Sequence, residues 1–468
     1  MVNESAGFAR IIYNKIRQSG LKFFYLNISL LSGLIFNRNP VELIVQTVNM
    51  KRLLKFSIFL ILQVAICFPA YADIPQKITR TVQGITFDSN YDNGSLADVE
   101  SAGEDVFNCD IFVENGELGS RKYWFRFTMT GVAGRSLILN LDHSNNPRPV
   151  IKTPGNPWRR LTEAEAPTQN AIYLHFEDIQ NQAELAFFFP YGVLETYDRV
   201  NEYVRRCDDA SSSMMGLSFQ DRPMWMISIT DHNVPIERKR RVWIHSRVHA
   251  GEVTGTLCML GILDLATEDS ILGRHLRENL IFNIVPLVNV DGVWLGHTRW
   301  DSQGIDPERQ WGNPSRIPET ENLQNYVDSF MSGPNPIELA LNLHSTKGNF
   351  TDTFFFKHVY PSVSLDFEII QQSYIDALDN ATLLFDNRSP ATSQLHDYQY
   401  IESYFWNNWG EAVMAMTHEG HFYRRITDND WITDVDYHEI GRAMVLALLE
   451  YFDLPEPPSE TSNRWMIY

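Results

Sequence analysis

The stretch from His245 to Glu252 limits the possible folds of this chain more than any other part of its sequence. It reads His-Ser-Arg-Val-His-Ala-Gly-Glu and follows β-branched and aromatic residues at 242–244, which predict a strand. Gly251 interrupts the strand, and helical periodicity resumes directly after Glu252. His249 and Glu252 therefore lie on a strand-to-helix turn, where an imidazole nitrogen and a carboxylate oxygen can bind one zinc ion. A third protein ligand and an open position are still required.

Five further polar segments follow this turn along the chain. One His-x-x-Glu pair is not specific in a chain with thirteen His, because most His and Glu side chains are simply solvated. The order of the later segments is the stronger signal. They are Val285-Pro-Leu-Val-Asn-Val-Asp-Gly292, Gly296-His-Thr-Arg299, Gly304-Ile-Asp-Pro-Glu-Arg-Gln-Trp311, Leu341-Asn-Leu-His-Ser345 and Met416-Thr-His-Glu419.

In this order the segments resemble those of the M14 zinc carboxypeptidases. They are most similar to the cytosolic-carboxypeptidase-like branch, whose zinc segment has the form Arg-x-His-Pro-Gly-Glu. The resemblance covers residues 80–455 and implies that His249, Glu252 and His344 bind one zinc ion, with a fourth position left for water. It also implies a β-sandwich domain ahead of the peptidase domain.

The resemblance further assigns roles in catalysis and substrate binding. Glu419 is implied as the general base, which takes a proton from a zinc-activated water and later delivers it to the leaving amine. Arg299 would polarise the scissile carbonyl and stabilise the oxyanion, and Arg309 would fork onto a substrate carboxylate. The family also uses a tyrosine upstream of the base. Three tyrosines lie in that region, Tyr398, Tyr400 and Tyr404, and we take Tyr400 as the candidate without excluding the other two.

Two residues depart from the family pattern. Ala250 stands where the closest branch has Pro, which loosens the turn but leaves both ligands in place. Glu308 stands where the family has Asn, directly before Arg309, and an anion there repels a free C-terminal carboxylate. Two interpretations of Glu308 remain open. It pairs internally with Arg309 or Arg299, or it meets a cationic group of the substrate, such as a lysine or diaminopimelate amine.

Other histidines offer competing or supporting roles. His418 and His421 form a His-x-x-His pair, but they end a predicted strand, where alternate residues face opposite sides. We therefore interpret both as neighbours of the ligands or as solvated residues. We expect His245 to be a packed or hydrogen-bonding neighbour, and His297, beside Arg299, to line the cleft.

The beginning of the chain predicts export. Residues 50–55 form a basic segment with Lys51, Arg52 and Lys55. Residues 56–68 are apolar apart from one Ser and one Gln, and Ala70-Tyr-Ala72 supplies small residues for cleavage. A signal peptide over 50–72 would place the initiator at Met50, make 1–49 an upstream extension and begin the mature chain at Asp73. A membrane anchor is the alternative, but the apolar run is shorter than the ~20 residues that span a bilayer. We expect no stable membrane span in the mature chain.

Charge and cysteine content limit the partners of the mature chain. Removing residues 1–72 leaves 31 basic and 56 acidic residues, a net charge of −25. Such a charge argues against nucleic acid and anionic membrane surfaces as targets. Three cysteines remain, so at least one is unpaired within the chain, and Cys258, on an apolar helix, is expected in the core.

The mature chain is long enough for two domains. Short alternating strands broken by Gly, Asn and Pro predict an antiparallel β-sandwich over 73–189. Alternating strands and helices predict an α/β/α zinc peptidase domain over 190–455, with a mixed, mostly parallel sheet, followed by a tail over 456–468. Ligands at strand ends suit such a sheet, because clefts form at its carboxyl edge.

These observations lead to one function and two alternatives. The first is an exported, periplasmic or secreted, zinc metallocarboxypeptidase that acts on peptide or protein C-termini. The second keeps the fold and zinc but cleaves another amide, as a murein-peptide amidase would. The third is a catalytically inactive binding protein. A glutamate-trimming activity would require basic residues near the cleft, and the candidates in the sequence are Lys347, Arg424 and Arg425. Each of them is also explained as an ordinary solvated surface residue. The preferred side chain and the oligomeric state stay open.

Overall fold

A computed structural model of the chain describes residues 77–142, 147–168, 170–312, 316–347, 352–386, 391–393, 399–455 and 457. The predicted upstream extension, the predicted signal peptide and, apart from residue 457, the predicted tail lie outside the described residues. Among the described residues, no helix combines the length and the apolar character needed to cross a bilayer.

Short strands make up the first part of the described chain. Their alternating burial, as in Ser136–Asp142, is that of strands with one face in a core. The strands are β1 (Thr79–Val82), β2 (Ile85–Asp88), β3 (Asp98–Gly103), β4 (Val106–Asp110), β5 (Glu114–Gly116), β6 (Gly119–Arg121), β7 (Arg126–Thr130), β8 (Ser136–Asp142), β9 (Val150–Lys152), β10 (Arg159–Arg160), β11 (Ala171–His175) and β12 (Gln182–Ala186).

Two sheets pack face to face in this region. One has the order β1-β2-β7-β12-β9-β10 and the other β11-β8-β4-β3, while β5 and β6 form a separate hairpin. Phe87 of the first sheet meets Phe107 of the second, with ring centroids 5.1 Å apart, so the inner faces share one core. The predicted β-sandwich is present. It is not wholly antiparallel, because β4 pairs with β8 in parallel.

Helices and strands alternate in the remainder of the described chain, as predicted. The strands are β13 (Ala210–Leu217), β14 (Pro223–Ile229), β15 (Arg240–Ser246), β16 (Leu280–Val285), β17 (Ile337–Ser345), β18 (Phe354–His358), β19 (Ala391–Ser393) and β20 (Met414–Gly420). The helices are α1 (Val193–Arg205), α2 (Thr254–Ala266), α3 (Ile271–Asn279), α4 (Val290–Leu295), α5 (Pro318–Met331), α6 (Leu365–Ala381), α7 (Ile401–Trp409) and α8 (Asp434–Tyr451).

The eight strands β13 to β20 form one mixed sheet in the order β13-β14-β16-β15-β17-β20-β18-β19. The four central strands, β16, β15, β17 and β20, run parallel to one another, whereas β14 and β18 join this centre antiparallel. The predicted mixed, mostly parallel sheet is confirmed. Because the central strands are parallel, their carboxyl ends meet at a single edge.

Helices α2 and α8 cover one face of this sheet and cross at very close range. A side chain on Gly441 would place its Cβ 1.9 Å from the carbonyl oxygen of Cys258, and one on Gly261 would lie 2.0 Å from that of His438. Only glycine allows the two backbones to approach so closely. Cys258 is fully buried as predicted, and the three described cysteines, the others being Cys109 and Cys207, are all buried free thiols.

The sandwich and the α/β region belong to one compact unit. Asp92 of the sandwich caps α1 by accepting the N–H groups of Val193 at 3.0 Å and Leu194 at 2.7 Å. Buried Arg126 of β7 forks onto Glu195 of the same helix at 2.7 and 2.8 Å. The start of the α/β region is therefore held by the domain that precedes it.

Candidate active site

The turn after β15 presents the first two predicted ligands. Arg247 adopts the left-handed conformation (φ 58°), and its buried guanidinium donates to the carbonyl oxygen of Ala250 at 2.7 and 3.0 Å. Gly251 packs so tightly that a Cβ would lie 2.9 Å from the carbonyl oxygen of Thr298. The Arg-x-His-x-Gly-Glu pattern is thus a structural requirement of the turn: the Arg closes it and the Gly lets it approach its neighbour.

Three predicted ligands converge at this edge of the sheet. The ligand atoms of His249, Glu252 and His344 all lie within 4.8 Å of one another, and the three residues are buried. Glu252 Oε1 lies 2.8 Å from His249 Nδ1, and its Oε2 lies 2.7 Å from His344 Nδ1. Ser345 N–H also donates to Glu252 Oε2 at 3.0 Å. Two imidazoles and a carboxylate are a donor set of catalytic zinc sites.

The outer nitrogens of both imidazoles face carboxylates. His249 Nε2 lies 3.1 Å from Asp306 Oδ1, and His344 Nε2 lies 3.2 Å from Glu308 Oε2. A carboxylate at Nε2 holds the proton there, which leaves the Nδ1 lone pair directed inward. The arrangement fits a metal ion held by both Nδ1 atoms and by Glu252.

Charge is closely balanced among these groups. Burial alone would raise the pKa of Glu252, but His249 and His344 outweigh it and hold that pKa well below its ordinary value. Burial would lower the pKa of His344, but Glu252 and Glu308 raise it well above the ordinary value. These attractions keep the three side chains together in a region that excludes most water.

Glu419, the predicted general base, faces the same cavity. It is the direct register partner of His344 across the parallel pair β17 and β20, so the two side chains lie on the same face. Burial, and then the nearby Glu252 carboxylate, raise the pKa of Glu419 to about 8. Its Oε2 atom has no hydrogen-bond partner among the described residues. A carboxylate in this position is available to exchange a proton with a bound water.

Arg299 lines the cavity beside the ligands, as predicted. Its guanidinium donates to Asp306 Oδ2 from Nε at 3.1 Å and from Nη2 at 2.7 Å. Nη1 lies 3.4 Å from His249 Nδ1. Asp306 therefore fixes both a zinc-ligand imidazole and the arginine predicted to polarise the carbonyl. The resemblance gave Asp306 no role, although this residue belongs to the same segment, Gly304 to Trp311, as Glu308 and Arg309.

Arg309 and Tyr400 lie together on the cavity wall. The Arg309 guanidinium carbon is 4.1 Å from the centroid of the Tyr400 ring, a cation–π contact. Tyr404 is buried and its hydroxyl donates to Asp328, so this residue does not face the cavity. Tyr398 lies outside the described residues. Of the two tyrosines that the structure describes, Tyr400 is the one that reaches the site.

Glu308 is internally paired, but not with an arginine. Its Oε2 accepts from Asn342 Nδ2 at 3.0 Å and faces His344 Nε2 at 3.2 Å. The predicted ion pair with Arg309 or Arg299 is not among the ion pairs of the described residues. Burial would raise the pKa of Glu308, but the hydrogen bond from His344 and the charges of His344, Arg309 and His249 together outweigh it and lower that pKa. The residue that replaces the family Asn thus supports a zinc ligand.

Further residues line the cavity of about 310 Å³, and of those described next only Lys347 had been considered from the sequence. Arg121 and Tyr123 come from the sandwich domain, and Lys347 stands at the exposed rim. Glu402 is buried in the wall, where its carboxylate accepts from the hydroxyl of Thr417. Burial, and then Glu308, raise the pKa of Glu402 to about 7. No motif marked these residues, because they reach the cavity from separate elements.

The other histidines that the sequence placed near the ligands lie in different surroundings. His245 is buried and accepts from Trp243 Nε1 at 3.1 Å, as expected for a packed histidine. The expectation that His297 lines the cleft is wrong: it is buried and stacks on Phe112, with ring centroids 5.9 Å apart. His418 and His421 are buried, so solvation is excluded for both, and they form no metal-binding group in the described part of the chain.

The three basic residues considered for a glutamate-trimming activity differ in whether they line the cavity. Arg425 pairs with Asp428 at 2.7 Å and with Asp436 at 3.1 Å, and Arg424 lies over the Trp431 ring at 4.6 Å. Neither lines the cavity. Lys347 does, and it is therefore the one member of the predicted basic set that can meet a substrate there.

We predict that Asp306→Asn weakens zinc binding. The amide keeps the size of the carboxylate but loses the charge that orients His249, and such partners of zinc ligands are worth about 10- to 100-fold in metal affinity. Competition with a chromogenic chelator measures the affinity. Asp110→Asn, an exposed change on β4, is the matched control. Equal affinities for both variants would show that Asp306 does not support the ligand.

Known proteins resemble this chain in both sequence and fold. The family model described as zinc carboxypeptidase, peptidase M14, matches residues 197–404. Cytosolic carboxypeptidase 6 of Mus musculus is 27% identical over 293 residues, which cover 56% of this chain and 53% of the relative. The Homo sapiens protein of the same name is 28% identical over 260 residues, covering 49% and 50%. The chain thus spans about half the length of these curated relatives.

Solved structures share the fold over most of the chain. A metallo-carboxypeptidase from Burkholderia cenocepacia superposes with a TM-score of 0.66 at 20% identity, covering 79% of this chain and 99% of that one. A metallo-carboxypeptidase from Pseudomonas aeruginosa, solved in complex with (2-guanidinoethylmercapto)succinic acid, gives 0.67 at 18% identity, covering 78% and 99%. The family model and the relatives, together with the ordered motifs and the converging ligands, identify residues 197–404 as an M14 zinc carboxypeptidase domain that is similar to the cytosolic-carboxypeptidase-like branch.

Proposed function

We propose that the protein is an exported zinc metallocarboxypeptidase that removes C-terminal residues from peptides or proteins. One observation carries this proposal: two imidazoles and a carboxylate converge at the edge of the sheet, with Glu419 in register beside His344 in the same cavity. Family membership and the shared fold support it. A binding protein without catalysis would have no need of this combination.

The residues of the site divide the chemistry among them. A zinc ion held by the triad would acidify a water and polarise the scissile carbonyl. Glu419 takes the proton of the attacking water and returns it to the leaving amine. Arg299 donates to the oxygen on which negative charge develops, and Arg309 holds the terminal carboxylate against the Tyr400 side of the cavity.

We further propose that a C-terminal residue with a basic side chain is preferred. Two acidic residues, Glu308 and Glu402, lie in the buried wall of the cavity, and Glu402 has no ion-pair partner among the described residues. A cationic side chain would neutralise it in a region of low dielectric constant, whereas an acidic one would be repelled. The neighbour from Pseudomonas aeruginosa was solved with a guanidino compound, which agrees with this preference.

Two alternatives are favoured by particular residues. Arg121 and Lys347 on the cavity wall favour an acidic C-terminal residue. A murein-peptide amidase would also use the acidic wall, because diaminopimelate carries an additional amine. Both alternatives retain the zinc chemistry and change only the substrate.

We predict that Glu419→Gln abolishes most of the activity while zinc is retained. General-base catalysis contributes roughly 10²- to 10⁴-fold, and the amide cannot accept the proton. Release of single C-terminal residues from a peptide library, with and without chelator, gives the rate, and elemental analysis gives the zinc content. Zinc-loaded wild-type protein that releases no C-terminal residue would contradict the proposed carboxypeptidase.

We predict that wild-type protein cleaves peptides ending in Lys or Arg faster than matched peptides ending in Leu or Glu. Glu402→Gln should reduce this preference at a pH above about 7, where the Glu402 carboxylate is ionised and the substitution removes its charge from the wall. Glu100→Gln, an exposed change on β3, should leave it intact. Faster cleavage of the Glu-terminated peptide would favour the acidic alternative, and cleavage of murein peptides alone would favour the amidase.

We predict that the exported protein begins at Asp73. The basic, apolar and small-residue segments over 50–72 carry this prediction. Expression in a bacterial host, fractionation and N-terminal sequencing of the periplasmic protein would test it. Intact protein retained in the cytoplasm would contradict both the cleavage site and the location.

A further inference from the structure

The β5–β6 hairpin of the sandwich domain lies against the segment that carries Arg299. Glu114, at the start of this hairpin, is 2% exposed. Its Oε2 accepts the backbone N–H of Thr298 at 3.0 Å, and its Oε1 accepts those of Arg299 and Trp300, the latter at 3.2 Å. A single carboxylate from the first domain thus holds three successive amides of the peptidase domain.

The rest of the hairpin continues this contact. Glu117 donates its backbone N–H to the carbonyl oxygen of Gly304 at 2.8 Å, and its Oε1 accepts the N–H of Asp306 at 2.9 Å. Gly116 lies so close to Trp300 that a Cβ would be 2.5 Å from the indole ring. The hairpin therefore fixes the backbone at both ends of the loop that carries Arg299 and Asp306.

The indole of Trp300 connects the hairpin to the cavity. The guanidinium carbon of Arg299 lies 5.4 Å from its ring centroid, and that of Arg121 lies 5.2 Å from it. Both guanidinium groups line the cavity. Arg299 is consequently held at three points: its backbone by Glu114, its side chain by Trp300 and its guanidinium by Asp306.

We propose that Glu114 is a positioning residue of the active site, which sets the place of Arg299 in the cavity from outside the peptidase domain. The three N–H groups offset part of the cost of burying this carboxyl group, although burial still raises the pKa of Glu114 to about 8. Those N–H groups belong to Arg299 and its two neighbours in the chain, so the site, and not only the domain contact, depends on this acid. The inference rests on the proposed function in that Arg299 acts on the substrate carbonyl.

Loss of this acceptor should affect the chemical step more than substrate binding. Arg299 interacts with charge that develops during the reaction, so a displaced guanidinium lowers kcat and leaves KM nearly unchanged. A displacement of about 1 Å costs on the order of 10²-fold in rate. We expect Glu114→Gln, which keeps one acceptor oxygen and replaces the other with an NH2 donor, to lower kcat by roughly 10- to 100-fold.

A double-mutant cycle tests whether Glu114 acts through Arg299. We would compare zinc-loaded wild-type protein with Glu114→Gln, Arg299→Ala and the double variant, on the peptide that the wild type cleaves fastest. Once Arg299 is absent, Glu114→Gln should have little further effect on kcat. Glu100→Gln is the matched charge-neutralising control on the sandwich domain and should retain wild-type kinetics.

Hydrogen exchange provides a readout that does not depend on activity. The amides of Thr298, Arg299 and Trp300 should exchange faster in Glu114→Gln than in wild-type protein, with unchanged zinc content. Glu114→Asp, which keeps both acceptor oxygens but is too short to reach the three amides, should show the same change if the first variant does not fold. Wild-type kcat in Glu114→Gln, additive losses in the cycle, or loss of folding in both variants would overturn the inference. An inactive wild-type protein would contradict the proposed function instead.

Discussion

Parallel pairing of β15, β17 and β20 is the constraint on which the site depends. It brings the ends of three strands to one edge, and its register sets His344 opposite Glu419. Because side chains alternate across a strand, a slip of one residue would turn Glu419 to the other face of the sheet. The buried hydrophobic residues of β17 and β20 resist such a slip, so the core and the site are specified by the same pairing.

Two carboxylates behind the ligands, Asp306 and Glu308, help to position them. Asp306 contacts His249 and Arg299, and Glu308 contacts His344 and Asn342. Each orients an imidazole, and each compensates a neighbouring cation or donor, so that many ionisable groups share a small buried volume. The replacement of the family Asn by Glu308 is absorbed in this network without loss of the ligand geometry.

Patterns carried by consecutive residues could be predicted from the sequence, and spatial contacts could not. The residues at 242–244 predicted β15, periodicity after Glu252 predicted α2, and the motif order pointed to the triad, Glu419 and Arg299, which line one cavity. Helix α5, which begins at Pro318, was not predicted. Glu114 and Glu402 have no local signature, because each acts on residues at least 15 positions away along the chain. The parallel pairing of β4 with β8 likewise depends on tertiary contacts.

The absence of a side chain at Gly116 limits which sandwich domains could precede this peptidase region. The indole of Trp300 occupies the volume that any other residue at position 116 would need. A sandwich from another protein could not be grafted onto this peptidase region unless its own hairpin left the same hollow and offered an acid in the same place. The hairpin of the sandwich and the segment that carries Trp300 are therefore complementary in shape and in hydrogen bonding, and a change in one requires a matching change in the other.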